Sequence, residues 1–352
     1  MVSKKYTLAD MNNIQRIGVI MFGLMGDVLI RTPVLRAFKE IFPDATITAI
    51  VDPIGKQILG YNHFVDEIMV IDRKKEKNKL KQNYKKLQAV LSIRKRNFDL
   101  IVNLYNAGSS RMMVRFSGAK YKLGFCLKEN IKLYNVKNEC APERLKERQS
   151  LYNYMISIIE PLSDRSYSLK PIFDLDTNSL KKMDKYLNGL EYKREKLYLL
   201  NLGASKEDKI LENEKYFFIV KYIYEQYGYI PLVICNPGQE YLQKCLIENY
   251  LLKSEVPFVQ LEPLALVDIA SLIHLTSFMI TPDTGLMHLA MALDNSIFAI
   301  FTYTHPLFVD IKRKNFIALY EWFDDDKLYQ HQEISVKKIQ KRLDQLFKKI
   351  EN

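Results

Sequence analysis

Short apolar runs alternate with helical stretches along this chain, and the alternation happens twice. In the first half IQRIGVIMF (14–22), ATITAIV (45–51), EIMVI (67–71), FDLIVNL (98–104) and KYKLGF (120–125) read as strands. Helical patterns starting near Asp27, over 73–96 and over 108–117 lie between them. In the second half KLYLLNL (196–202), YIPLVIC (229–235), the run at 278–280 and SIFAIF (296–301) alternate with helices over 214–227, 239–252 and 264–275, and FIALYE adds a strand near the end. Strands separated by helices form parallel sheets, so the fold class is α/β. A chain of 352 residues exceeds what one core holds. The polar stretch 161–178, with two prolines, reads as a connector. We therefore expect two Rossmann-like domains, 1–175 and 176–352, with a cleft between them and a basic amphipathic helix over 334–350 closing the second. Residues 126–143 read as irregular, and a helix is expected over about 144–160.

Ligands on such sheets gather beyond the carboxyl ends of the strands. Two stretches there stand out. SFMITPDTGLMHLAMAL (277–293) is a buried strand, a turn at Thr281-Pro282-Asp283 and a helix opening at Thr284-Gly285. The first N–H groups of a helix have no internal partner and sit at its positive end, which suits phosphate. Gly285 lets a ligand approach the backbone, Leu286 supplies the next amide, and Thr284 and His288 share a helix face. Read structurally, Asp283 is only an N-cap and His288 only a core histidine. The second stretch is the loop Gly23-Leu24-Met25-Gly26, after which Asp27 opens a helix bent at Pro33.

The formal charge of +11 favours anionic partners: phosphorylated metabolites, an anionic membrane face or nucleic acid. The sequence holds no nucleic-acid module. Cys126, Cys140, Cys235 and Cys245 form no CxxC pair and no zinc spacing, which fits free thiols in a reducing cytoplasm. No apolar run has the length of a membrane span, and the N-terminus lacks a signal-peptide core, so a cytoplasmic location is expected. The basic helix over 73–96 spaces Leu80, Tyr84, Leu87 and Leu91 like a heptad. Either these residues pack on the sheet and the lysines face solvent, or the helix approaches anionic lipid headgroups.

Asp283 to Ala290 resembles the Asp-Thr-Gly-x-x-His-Leu-Ala signature of glycosyltransferase family 9, the bacterial heptosyltransferases. GLMGDVLIRTPVLRAFKEIFPDA (23–45) is similar to that family's Gly-Asp-x-Leu, Thr-Pro and Phe-Pro signature. NLGASKEDK (201–209) resembles its Gly-Ala-Ser loop with a following lysine, although Ile210-Leu211 stand where an aromatic is common. FTYTHP (301–306) occupies the place of a Gly-x-Thr-x-Pro loop, with Thr302 for the glycine while Thr304 and Pro306 remain.

The resemblance implies GT-B architecture, with an acceptor-binding first domain facing a nucleotide-sugar-binding second domain. It implies inverting transfer without a metal or other cofactor, from ADP-heptose to the lipopolysaccharide inner core. Asp27, beside Gly26, is then the base for the acceptor hydroxyl. Ser205, Lys209, Asp283, Thr284, Gly285, Leu286 and His288 receive the donor, with Lys206 competing for the role of Lys209. Glu240, in NPGQE (236–240), corresponds to the residue that holds the donor ribose. A lipid-linked saccharide acceptor implies peripheral contact with the anionic inner face of the membrane. Other readings are a GT-B transferase with another nucleotide sugar and a different glycan, an inactive nucleotide-sugar-binding protein, and a nucleotide-sugar epimerase or hydrolase. The acidic run Asp324-Asp325-Asp326 is read as no metal motif.

Overall fold

The computed structural model describes residues 6–11, 13–126, 132–138, 150–309, 313–321 and 333–351. The chain divides into two compact units, Met1–Asp174 and Leu175–Asn352. The first holds strands β1 (Arg16–Ile20), β2 (Thr46–Val51), β3 (Glu67–Val70), β4 (Leu100–Asn103), β5 (Tyr121–Phe125) and β6 (Val136–Asn138) in the order β3-β2-β1-β4-β5-β6. The second holds β7 (Leu197–Asn201), β8 (Ile230–Ile234), β9 (Val259–Gln260), β10 (Phe278–Pro282), β11 (Ser296–Ile300) and β12 (Phe316–Leu319) in the order β12-β11-β10-β7-β8-β9. Both sheets are parallel throughout. Counted within its own unit, each sheet runs 3-2-1-4-5-6, the doubly wound Rossmann order. The α/β expectation with two Rossmann-like domains is met.

That order reverses direction between β1 and β4 in one sheet and between β7 and β10 in the other. A crevice opens at each reversal, beyond the carboxyl ends of the strands. The central strands are apolar runs because helices cover both of their faces: β4, β7, β8 and β10 are buried along their whole length.

Helix α1 (Met25–Ile41) follows β1 and runs through Pro33. It begins two residues before the expected point. Gly26 therefore lies in its first turn instead of a loop, and Asp27 is its third residue. Helix α2 (Pro53–Leu59) was not expected. Helix α3 (Lys79–Arg94) starts later than the lysine-rich pattern suggests, because the Asn78 side chain accepts from Leu80 N at 2.8 Å and Lys81 N at 3.4 Å. It buries Ala89, Val90 and Ile93, whereas Leu80, Tyr84, Leu87 and Leu91 are exposed. The expected apolar face is thus not the face on the sheet.

Helix α4 (Gly108–Phe116) precedes β5. Strand β6 lies inside the stretch expected to be irregular, anchored by Tyr134, which is buried and bonded by Asn103 Nδ2 at 2.8 Å. Helix α5 (Leu151–Ile156) and a 3₁₀ turn through Ile159 cover the later part of the helix expected over 144–160; residues 144–149 fall outside the described residues. The connector ends at Asp176, which caps α6 (Thr177–Asn188) by accepting from Ser179 N at 2.8 Å. Helices α7 (Asn213–Tyr227), α8 (Glu240–Asn249), α9 (Leu266–Leu275), α10 (Gly285–Ala292) and α11 (Val336–Ile350) complete the second unit. Helix α11 sets Ile339, Leu343, Leu346 and Phe347 into that unit's core.

Candidate functional site

Two groups of residues sit at the two crevices. In the first unit the chain leaves β1 through Gly23, whose φ of +137° is a conformation open to glycine. A Cβ there would also lie 2.6 Å from Asp27 Oδ2, so side-chain bulk is excluded twice over. Asp27 is exposed, and its Oδ2 accepts from Leu24 N at 2.9 Å. Its other oxygen has no hydrogen-bond partner among the described residues. Beneath it lies a charge network that the sequence did not reveal. Asp52 accepts from Gly23 N at 2.8 Å and from Arg73 through both carboxylate oxygens at 2.7 Å. The Arg73 guanidinium lies over the rings of Phe22 and Tyr105, 4.3 and 4.5 Å from their centroids. Arg31 is buried and donates to Phe22 O. Burial lowers its pKa from the usual range, against the opposing pull of Asp27. The only advance signal was Arg31 itself, four residues after Asp27 and on the same helix face.

Along α4 a cavity of about 690 Å³ is lined by Arg111, Arg115, Lys122 and Lys132 together with Gly108, Met112, Phe116 and Leu133. Four of these residues are cationic and none is acidic. Burial and the nearby Arg115 charge lower the pKa of Lys122. This lining suits an anionic group.

In the second unit three strand ends are tied together. Asn201, buried at the end of β7, donates to Thr281 Oγ1 of β10 at 3.0 Å and to Gly203 O at 3.1 Å. Gln239, beyond β8, donates to Ala204 O at 2.8 Å. Gly203 lies so close to that neighbour that an added Cβ would stand 2.7 Å from Asn236 N. The loop carrying Ser205 and Lys206 is thus held between its neighbours, with both of those side chains exposed.

Lys209 and Asp283 form the centre of the group. Lys209 Nζ donates to Asp283 Oδ2 at 2.7 Å and to Asp283 O at 3.1 Å, and Thr304 Oγ1 donates to the same carboxylate. Burial alone would raise the pKa of Asp283. The charges of Lys209 and His288 and the two side-chain bonds outweigh it and hold the carboxyl below its ordinary value. Asp283 is therefore neither an N-cap nor free: Thr284 is the N-cap of α10, and its side chain makes no capping bond. Thr284 and Gly285 are half-buried, Leu286 and His288 buried. The first amides of α10 consequently face the crevice without a side chain to satisfy them.

Thr302 Oγ1 donates to Asp208 O at 2.7 Å, which fixes the 301–306 loop against the lysine turn. Lys206 lies 4.7 Å from the centroid of Tyr303 and has no ion pair among the described residues. Glu240 stands apart from this group. Its Oε1 accepts from Gly238 N at 2.9 Å, and backbone bonds lower its pKa. It lines a small cleft beyond β8 and β9 with Cys235, Gln243, Leu261 and Glu262. Among the described residues no three or more His, Cys, Asp or Glu side chains cluster as a metal site, and Asp324-Asp325-Asp326 lie outside them.

Residues 87–332 match the model of glycosyltransferase family 9 (heptosyltransferase), well over half of the chain. The chain belongs to glycosyltransferase family 9. It is therefore a glycosyl-transferring enzyme. It is 24% identical over 297 residues to lipopolysaccharide heptosyltransferase 3 of Escherichia coli (strain K12), covering 80% of this chain and 81% of that protein. The fold is shared with a family 9 glycosyltransferase of Veillonella parvula DSM 2008 at a TM-score of 0.79 and 18% identity, covering 96% of this chain and 98% of that one. E. coli ADP-heptose lps heptosyltransferase II gives 0.76 at 16% identity, over 96% of this chain and 100% of that one. Family membership leaves the epimerase and hydrolase readings without support.

Proposed function

We propose that this enzyme moves a heptose from ADP-heptose to the lipopolysaccharide inner core, with inversion and without a metal. The observation that carries the reading is the uncapped start of α10 beside the Lys209–Asp283 pair, at the strand-order reversal of the second sheet. There the amides of Thr284, Gly285 and Leu286 receive the donor diphosphate. Lys209 spends two N–H donors on Asp283 and keeps a third for a phosphate oxygen, while Ser205 and the exposed charge of Lys206 add to the rim. The charge of His288 adds to that of Lys209 in holding the Asp283 carboxyl below its ordinary value. Glu240 accepts from the ribose hydroxyls.

The acceptor belongs to the first unit. Its hydroxyl gives its proton to the free oxygen of Asp27 as it attacks the anomeric carbon. One C–O bond forms on the face opposite the one that breaks, and the nucleoside diphosphate leaves toward the α10 amides, which stabilise its growing charge. The four cations along α4 suit an acceptor rich in anionic groups. A lipid-borne acceptor brings the enzyme to the anionic inner face of the membrane; no described helix is long and apolar enough to cross one.

The test is thermal stabilisation by ADP, GDP, UDP and CDP, on wild type and on Asp27→Ala. We expect ADP to stabilise both proteins preferentially, by about 2.7 kcal/mol at a hundredfold excess over Kd. Transfer from ADP-heptose should fall by about 10²–10⁴-fold in Asp27→Ala only. Preference for another base would replace the donor. No shift with any of the four would remove the phosphate site from which the rest is built.

A further inference from the structure

Helix α3 carries two apolar faces. At about 100° per residue, Leu80, Tyr84, Leu87 and Leu91 fall within about 60° of one another. Ala89, Val90 and Ile93 point roughly the opposite way and pack into the first unit's core. The outward four are 79%, 60%, 54% and 48% exposed. From Leu80 to Leu91 they form a stripe about 16 Å long. Isolated exposed leucines are common, but four large apolar side chains in one line on a single helix are a patch with a purpose.

The surroundings of the stripe select its partner. Lys79, Lys81, Lys85, Lys86 and Arg94 lie on the helix, and its sequence from Lys79 to Arg94 contains no acidic residue. Glu76, just before it, pairs with Lys81 at 3.3 Å and with Lys85. Lys79, Lys86, Arg94 and the following Lys95 have no ion pair among the described residues, and Lys74, Lys75 and Lys77 add charge at the amino end. A second copy seated on this face would oppose lysines with lysines, with no carboxylate on the helix to pair them. An anionic bilayer meets both demands: it solvates the leucines below the headgroups and pairs the lysines with phosphate at the surface. Tyr84 suits the same depth, and long lysine stems reach outward from it.

We propose that the outward face of α3 docks this enzyme on a bilayer of anionic lipid, with Leu80, Tyr84, Leu87 and Leu91 entering the headgroup boundary. The inference deepens the proposed function and rests on its lipid-borne acceptor, since such an acceptor has to be met at a membrane surface. It assigns to one helix a contact that the acceptor alone leaves unplaced.

The experiment is co-sedimentation of the full chain with vesicles of phosphatidylcholine alone, or with about 30 per cent phosphatidylglycerol added. Wild type is expected to sediment with the anionic vesicles and to stay in solution with the neutral ones. The triple change Leu80→Gln, Leu87→Gln, Leu91→Gln should weaken binding by about tenfold or more, and so should Lys79→Gln with Arg94→Gln. All of these side chains are exposed, so far-UV circular dichroism and the stabilisation by ADP should match wild type. That last readout separates a failed docking surface from a failed donor assignment. Equal binding of wild type and the leucine variant, or equal binding to both kinds of vesicle, would overturn the proposal. So would a wild-type dimer in sedimentation equilibrium that the leucine changes turn into a monomer, because the face would then be an interface between copies.

Discussion

Asp283 shows how one residue can be legible in identity and misread in its bonds. Its place between a buried strand and a glycine-led helix marked it in the sequence, yet N-capping is done by Thr284. Its actual partners, Lys209 and Thr304, are 74 and 21 residues away, and no local pattern encodes such a meeting. Asp52 and Arg73 near Asp27 stayed hidden for the same reason: their pairing depends on which strand ends the sheet order makes adjacent. The Asp283 pair has a pH consequence. Its carboxyl is held below its ordinary value of 3.8, so the folded protein binds fewer protons there than the unfolded chain. This stability is fully present above that ordinary value and is lost as pH falls through the lower folded-state value. Both side chains are less than one-fifth exposed, so Asp283→Asn leaves a largely buried ammonium unpaired. We expect a loss of about 3 kcal/mol at pH 7. The acid limb of the stability curve, measured by denaturant titration below pH 4, should also flatten. An acid limb as steep as that of wild type would place the titrating group elsewhere.

At the scale of elements, most long periodic segments were readable and most short ones were not, although the twelve-residue α6 was not expected and the eight-residue α10 was. Most strands and most long helices stand within a few residues of their expected spans, because each buries a continuous apolar face. Helix α2 and strand β6 are too short to show a period, and β6 is held by the burial of Tyr134 against the glycine at 124. Helix α3 failed differently: its most regular apolar stripe is its exposed one, and a period cannot say which face meets the sheet. Helix α11 was legible as an amphipathic helix. Phe347 stacks on Tyr227 with centroids 3.7 Å apart and meets Phe278 edge-on at 5.4 Å. Asp344 accepts from the hydroxyls of Tyr222 and Tyr227, both at 2.8 Å, on the flank of the same helix. Phe347→Ala should therefore cost about 3–5 kcal/mol of the second unit's stability, read as a lower denaturation midpoint with an unchanged slope. A loss below about 1 kcal/mol would mean that α11 lies on that core without supporting it.

For the whole molecule, the doubled strand order accounts for both candidate groups at once. Each Rossmann unit has its own core and its own reversal of strand order, so each offers a crevice without help from the other. The sequence displayed the two alternating halves, but not the order of strands that puts Asp27 beyond β1 and Asp283 beyond β10. That order follows from right-handed crossovers between neighbouring parallel strands, a rule of packing more than of any single residue. The proposed division of labour between the units predicts where nucleotide binding is felt. Hydrogen exchange with saturating ADP should slow at 201–209, 236–240 and the start of α10, where the amides lose access to water. Backbone amides at 23–27 and along α4 should exchange at their unliganded rates, because the proposed diphosphate and ribose partners all belong to the second unit. Protection that appears first or most strongly at 23–27 would move the nucleotide to the first unit. Asp27 would then be a donor ligand, and the base for the acceptor hydroxyl would have to be sought among other residues.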